Sequence, residues 1–123
     1  SNKKIDPSTD IYLVNSYGKT KSFYKICNNI FLGGSLIEHG GQNPLEAARY
    51  GCSILNGPNV QNFSEIYQFL KKNNISTTVK KNQELPHKLN ILIYKKTNPK
   101  IIQNKLKIIG NKILKETYNE IFI

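Results

Sequence analysis

The sequence contains a single arginine, Arg49, among 123 residues. Guanidinium forks are the usual means of reading base edges and of gripping phosphates at two points at once. A chain with one such group is poorly equipped for sequence-specific recognition, and no nucleic acid is expected among its partners. Cysteine is also sparse. Cys27 and Cys52 sit inside apolar stretches and lack the even spacing of a disulfide framework, so both read as buried thiols in a reducing cytoplasm. Neither stands at ligand spacing to His39 or His87, which argues against a zinc site and against a Cys–His nucleophilic pair. No apolar run approaches the roughly 18–20 residues that a membrane helix needs. The polar start Ser1-Asn2-Lys3-Lys4 lacks the pattern of a signal peptide.

Acidic side chains are few as well, eight against eighteen basic ones, for a net charge of +10. The surplus is almost wholly lysine. It fits a drift of composition toward Lys, Asn and Ile along the whole chain, and equally a non-specific attraction to anionic partners such as phosphorylated lipids at a membrane surface. A chain of this length forms one domain and can bury a core without disulfide or metal staples.

Short apolar runs alternate with helical patterns. Ile11-Tyr12-Leu13-Val14 predicts a strand, followed by a turn at Ser16 to Lys19 and a helix from about Thr20 to Asn28. Ile30-Phe31-Leu32 predicts the next strand, and Pro44 to Tyr50 a helix ended by Gly51. Ser53-Ile54-Leu55 predicts a third strand. A helix opening at Asn62 shows an apolar face of Phe63, Ile66, Phe69 and Leu70, and Ile75 to Val79 predicts a fourth strand. A helix follows from Leu85 to Tyr94. The segment Pro99 to Tyr118 places Ile102, Leu106, Ile109 and Ile113 on one stripe, with lysines largely around it. This alternation predicts an α/β fold, a parallel sheet flanked by helices with Ile11–Val14, Ile30–Leu32 and Ser53–Leu55 as neighbouring strands. Ligands bind such sheets beyond the C-terminal ends of the strands. The loops Asn15 to Lys19, Gly33 to Asn43 and Asn56 to Asn62 fall there, and they hold most of the glycines.

The richest stretch is Gly33-Gly34-Ser35-Leu36-Ile37-Glu38-His39-Gly40-Gly41-Gln42-Asn43-Pro44-Leu45-Glu46. Paired glycines admit positive φ and let a backbone approach a ligand closely. Asn43 suits an N-cap, Pro44 the first helical position, and Glu46 the third, so the helix start predicts a phosphate site. Two roles stand open for Glu46. It closes a capping box with Asn43, or it holds ribose hydroxyls as acidic residues do in other nucleotide folds. Asn62-Phe63-Ser64-Glu65 repeats the capping grammar, and there capping is the favoured reading. Gly18 predicts a tight turn near the ligand. The Gly-rich loop is neither a Walker A motif nor a G-x-G-x-x-G fingerprint.

Together, Gly33 to Leu36, then Gly40-Gly41-x-Asn43-Pro44-Leu45-Glu46-x-Ala48, then Gly57-Pro58 with Asn62-Phe63-x-Glu65-Ile66 resemble the pattern of 3-deoxy-D-manno-octulosonic acid (Kdo) transferases. Tyr17-Gly18-Lys19 and Phe23-Tyr24 match a further stretch of that pattern, so the likeness covers roughly residues 5 to 80. Gln42 departs from it, standing where the family usually has His, and Lys19 replaces an acidic residue. The resemblance implies the C-terminal, Rossmann-like half of a GT-B glycosyltransferase, here without the N-terminal acceptor domain and the first βα unit. It implies CMP-Kdo as donor, lipid IVA as acceptor, transfer with inversion and no cofactor. It also implies a parent enzyme working at the cytoplasmic face of the bacterial inner membrane. The donor-site residues it points to are Gly18, Gly33, Gly34, Ser35, Gly40, Gly41, Gln42, Asn43, Glu46 and Asn62, and it favours the ribose role for Glu46. The catalytic base belongs to the absent domain, so the isolated chain is expected to be inactive. Two rival readings remain, another GT-B nucleotide-sugar enzyme and a basic anion-binding module.

Overall fold

The computed structural model describes residues 4–122; the polar start at Ser1, Asn2 and Lys3 lies outside the described residues. In chain order the elements are α1 (Thr20–Ile26), β1 (Asn29–Leu32), α2 (Leu45–Arg49), β2 (Ser53–Asn56), α3 (Ser64–Lys72), β3 (Ser76–Thr78), α4 (Leu85–Lys95) and α5 (Pro99–Phe122). The three strands form a parallel sheet in the order β1-β2-β3, with Ile30 beside Ile54 and Ile54 beside Ser76. The predicted α/β architecture is therefore present. β2 is central and buried along its whole length, as expected of a strand covered on both faces. Around it Leu32, Ala47, Ala48, Cys52, Tyr67, Leu70, Ile75 and Ile102 form the core.

The first predicted strand is not there. Ile11–Val14 joins no sheet, and Ile11 and Leu13 are 89% and 82% exposed. An apolar, β-branched run makes a strand possible, but ladder bonds require a partner. Among the described residues β1 pairs with β2 alone, so its outer edge is open.

The ends of the helices also refine the expectation. The apolar face of α3 is rotated from the predicted one, with Tyr67 and Leu70 buried and Phe63, Ile66 and Phe69 only partly so. In α5, Ile102 is buried and Leu106 partly buried against the core, while Ile113 is 55% exposed and, among the described residues, none of 103–121 is buried. The body of the protein ends before the stripe does. Close packing fixes where α5 crosses: a Cβ on Gly51 would meet the Pro99 backbone, and Gly51 holds φ +85. The Gln103 amide also donates to the Arg49 carbonyl at 3.2 Å.

Candidate functional site

Parallel pairing puts the C-terminal ends of β1 and β2 side by side, at Leu32 and Asn56. The loops that leave them are stitched together by backbone groups. Ser35 is fully buried; its hydroxyl donates to the Leu32 carbonyl at 2.7 Å and accepts from the Gly57 N–H at 2.8 Å. The Ser35 carbonyl accepts from the Asn59 N–H at 2.8 Å. A Cβ on Gly57 would collide with the Ser35 backbone, so only glycine lets the two loops approach this closely. With its hydroxyl both donating and accepting internally, Ser35 braces the loop from inside through its side chain.

The glycine loop then folds back on itself. The Gly41 N–H donates to the Gly34 carbonyl at 2.9 Å, and the Asn62 N–H to the Gly40 carbonyl at 3.2 Å. Gly34, Gly40 and Gly41 hold φ +67, +94 and +82, the left-handed region in which glycine carries no steric penalty. The Asn62 side chain lies against the Cα of Gly40, where a methyl group would overlap it. Asn62 therefore packs the loop and does not open α3, which starts at Ser64 with no side-chain cap. The Tyr67 hydroxyl donates to the Gln42 carbonyl at 2.7 Å. Burial, with a smaller contribution from Tyr24, pushes the Tyr67 phenol up to about 12, so it stays a donor at neutral pH. Sequence reasoning missed Tyr67; its spacing of four from Phe63 and three from Leu70 was the available signal.

Gly33 differs from its neighbours. It lies outside the positive-φ set, and a Cβ built on it meets nothing within 4 Å. Neither packing nor conformation within the chain requires glycine there. The space above it is open to a ligand that must approach the backbone closely.

Asn43 caps α2 as expected, its side-chain oxygen accepting from the Leu45 N–H at 3.0 Å, while Pro44 already holds helical angles. The predicted phosphate cradle is correspondingly weakened. Pro44 has no N–H, the Leu45 N–H is taken, and α2 has only five residues. Glu46 makes no capping-box bond among the described residues. Its carboxylate lies 3.7 Å from the Lys21 ammonium of α1, with both side chains substantially exposed. Gly18, Thr20, Lys21 and Glu46 line one shallow pocket. Gly18 bends the chain into α1 with φ +81 and has open space around it. Burial, then the Glu46 charge and then Cys52, push the Tyr24 phenol up, which registers how near the carboxylate lies. The structure thus brings Gly18 to Glu46, Gly40 to Asn62, and Gly34 to Gly41 and Gln42. Asn43, next to Gln42 and at the start of α2, connects the last of these groups to the first.

The cysteines support the packing. Cys52 is fully buried and its thiol donates toward the carbonyls of Cys27 and Tyr24 at 3.2 and 3.4 Å. Cys27 is only half-buried, short of the expectation for it.

No protein-family model matches the chain. Curated proteins do. It is 36% identical over 70 residues to the 3-deoxy-D-manno-octulosonic acid transferase of Haemophilus influenzae, across 57% of this chain and 16% of that protein. Against the transferase of Aquifex aeolicus the identity is 30% over 101 residues, across 82% of this chain and 29% of that protein. A probable mitochondrial 3-deoxy-D-manno-octulosonic acid transferase of Arabidopsis thaliana is 32% identical over 106 residues, across 83% of this chain and 23% of that protein. The chain therefore spans less than a third of the length of these relatives. Among solved structures it is similar to the crystal structure of the C-terminal CMP-Kdo binding domain of WaaA from Acinetobacter baumannii. The TM-score is 0.69 at 27% identity, over 83% of this chain and 54% of that one.

Proposed function

This chain belongs to the 3-deoxy-D-manno-octulosonic acid (Kdo) transferases, as a counterpart of their C-terminal domain, and on that premise we propose that it supplies part of a CMP-Kdo donor site. The parent glycosyltransferase of this reading transfers Kdo to lipid IVA in lipopolysaccharide biosynthesis, at the cytoplasmic face of the bacterial inner membrane. The chain makes up part of the donor domain; the acceptor domain and the first βα unit, with the strands that would meet the open edge of β1, belong to the parent. That the chain matches 54% of the crystallised donor domain supports this division.

The observation that carries the reading is the open space over Gly33, beside a glycine loop whose own geometry is already fully braced. A loop so constrained presents a fixed surface, and a fixed surface loses little entropy on binding. Glu46 takes the ribose hydroxyls. Its carboxylate is held by no capping bond, sits beside Gly18, and is partly screened by Lys21, which lowers its repulsion toward the nearby phosphate.

Calorimetric titration with CMP, UDP and ADP tests the assignment, with CMP expected to bind tightest. Glu46→Gln should weaken CMP by about 1.5–3 kcal/mol, the range for a hydrogen bond to a charged group, while leaving the melting temperature nearly unchanged. Unchanged CMP affinity in that variant removes Glu46 from the site. Binding that ignores the nucleotide and falls steeply with salt would instead favour a basic anion-binding module.

A further inference from the structure

A cavity of about 470 Å³ opens at the other end of the sheet. Ser53 and Ser76, the first residues of β2 and β3, form its floor, so it faces the N-terminal edge of the strands, away from the glycine loops. The turn at Asn74, the α4–α5 connection through Lys96, and Lys105 on α5 form its walls. Asn74 and Lys96, at the C-terminal ends of α3 and α4, hold φ 60 and 48, left-handed angles that asparagine tolerates and lysine adopts less readily.

The charge of this cavity is not compensated. Lys95, Lys96 and Lys105 line it, and no acidic residue does. Lys105 is half-buried, and its ammonium donates to the neutral Asn73 carbonyl at 3.1 Å. Among the described residues the three ion pairs are Lys21–Glu46, Lys88–Glu84 and Lys112–Glu116, so none of the cavity lysines has a carboxylate within 4.0 Å. The asymmetry extends along the chain. From Ile66 to Lys115 there are twelve lysines and one carboxylate, Glu84, a local balance of 12 − 1 = +11. Lys105 is half-buried while Lys95 and Lys96 are exposed, so an anion in this cavity would meet one partly desolvated ammonium and two solvent-facing ones, with no acidic residue in the lining to oppose it. Neutral polar residues and the aliphatic side chains of Ile75, Leu92, Ile101 and Ile102 make up the rest of the lining. The Asn98 side-chain oxygen accepts from the Lys100 N–H at 3.0 Å, which leaves its amide nitrogen as the group able to donate, and Thr77 also lines the cavity.

We propose that this cavity is a phosphate-binding site, separate from the donor site and independent of that assignment. Its ligand is a phosphomonoester or inorganic phosphate, held by ammonium groups acting as compact point charges and by the neutral donors around them. Two-dimensional amide spectra of the chain, titrated with sodium phosphate at an ionic strength held constant by sodium chloride, test the proposal. Saturable shifts are expected at Asn74, Lys96 and Lys105. Affinity should fall roughly tenfold in Lys105→Gln, which keeps a donor for the Asn73 carbonyl, and in Lys95→Gln with Lys96→Asn, which tolerates positive φ. Lys71→Gln with Lys72→Gln, on α3 outside the cavity, should change little. Sedimentation with phosphatidylcholine vesicles, with and without phosphatidic acid, separates the sources. Binding that needs phosphatidic acid and the cavity lysines identifies a lipid headgroup, and saturation by inorganic phosphate with no vesicle binding identifies a soluble ligand. Shifts equal to those from chloride alone, or phosphate binding that survives both cavity variants, would overturn the proposal.

Discussion

Ser35→Ala removes one oxygen atom and should cost more than most core truncations of that size. The hydroxyl makes two bonds, to the Leu32 carbonyl at 2.7 Å and from the Gly57 N–H at 2.8 Å, and the residue is fully buried. Alanine leaves the Gly57 N–H without its hydroxyl partner at a place where the Ser35 backbone is already in close contact. An orphaned buried donor costs about 1–3 kcal/mol, and losing the second neutral bond adds about 1 kcal/mol, so the expected loss is roughly 2–4 kcal/mol. For a domain of this size each kcal/mol moves the melting temperature by about 3–5 °C, which predicts a fall of roughly 6–20 °C. Urea unfolding followed by circular dichroism gives the same quantity without extrapolating in temperature. Ser64→Ala, on the exposed start of α3, serves as the control and should stay within about 0.5 kcal/mol. If Ser35→Ala loses no more than Ser64→Ala, the hydroxyl is not the brace described here, and the two loops are held by packing alone.

The glycines separate binding from folding. Gly33→Ala should melt within a few degrees of wild type yet bind CMP more weakly, whereas Gly51→Ala, with φ +85 and the Pro99 backbone in its way, should lose at least about 1–3 kcal/mol; equal melting losses in the two variants would contradict this division. The alkaline limb of stability should fall early. Burial pushes the Cys52 thiol from its ordinary 9.0 up to about 11, with the Cys27 charge as a lesser cause. The folded state therefore keeps that proton longer than the unfolded state does; its contribution is complete below pH 9 and is lost as pH rises through 11. Cys52→Ala should flatten that limb in a pH series of urea unfolding curves, and a limb of unchanged slope would show that the thiol contributes nothing to it.

The parts of the fold that depend on local periodicity were legible. Three strands and five helices fall near where residue patterning and glycine stops put them: buried β2 reads as a short apolar run, while β3, Ser-Thr-Thr, shows as an alternation of polar and β-branched residues. What failed depended on a partner. Ile11–Val14 has the composition of a strand and no strand beside it, and the distal stripe of α5 has the spacing of a core helix and no core beneath Ile113. Amphipathic pattern reports what a segment is able to bury, while the neighbours decide whether it does. The loops at the C-terminal ends of β1 and β2 were legible as neighbours, and the hydrogen bonds within them were not. Asn62 had the grammar of a cap, but its side chain packs on Gly40 and α3 starts beyond it with no side-chain cap, and the hydroxyl of Ser35 is spent on β1 and Gly57. Hydrogen bonds between loops have no period, so no spacing rule announces them.

Gln42 shows why that distinction matters for function. Its side chain departs from the histidine usual at the matching position, which on a side-chain view weakens the donor site. Yet the group of Gln42 that the structure fixes is the carbonyl, held at 2.7 Å by the hydroxyl of buried Tyr67. The same loop is held at Gly34, Gly40 and Gly41 by main-chain bonds and by glycine angles. A cradle built from backbone groups keeps its shape when a side chain on its rim is exchanged, because none of the bonds that define it passes through that side chain. The exchange at position 42 therefore alters what the loop offers at one point of its surface while the placement of the glycines stays the same. The residues that protect that placement, Ser35, Asn62 and Tyr67, brace the loop from beneath and beside it.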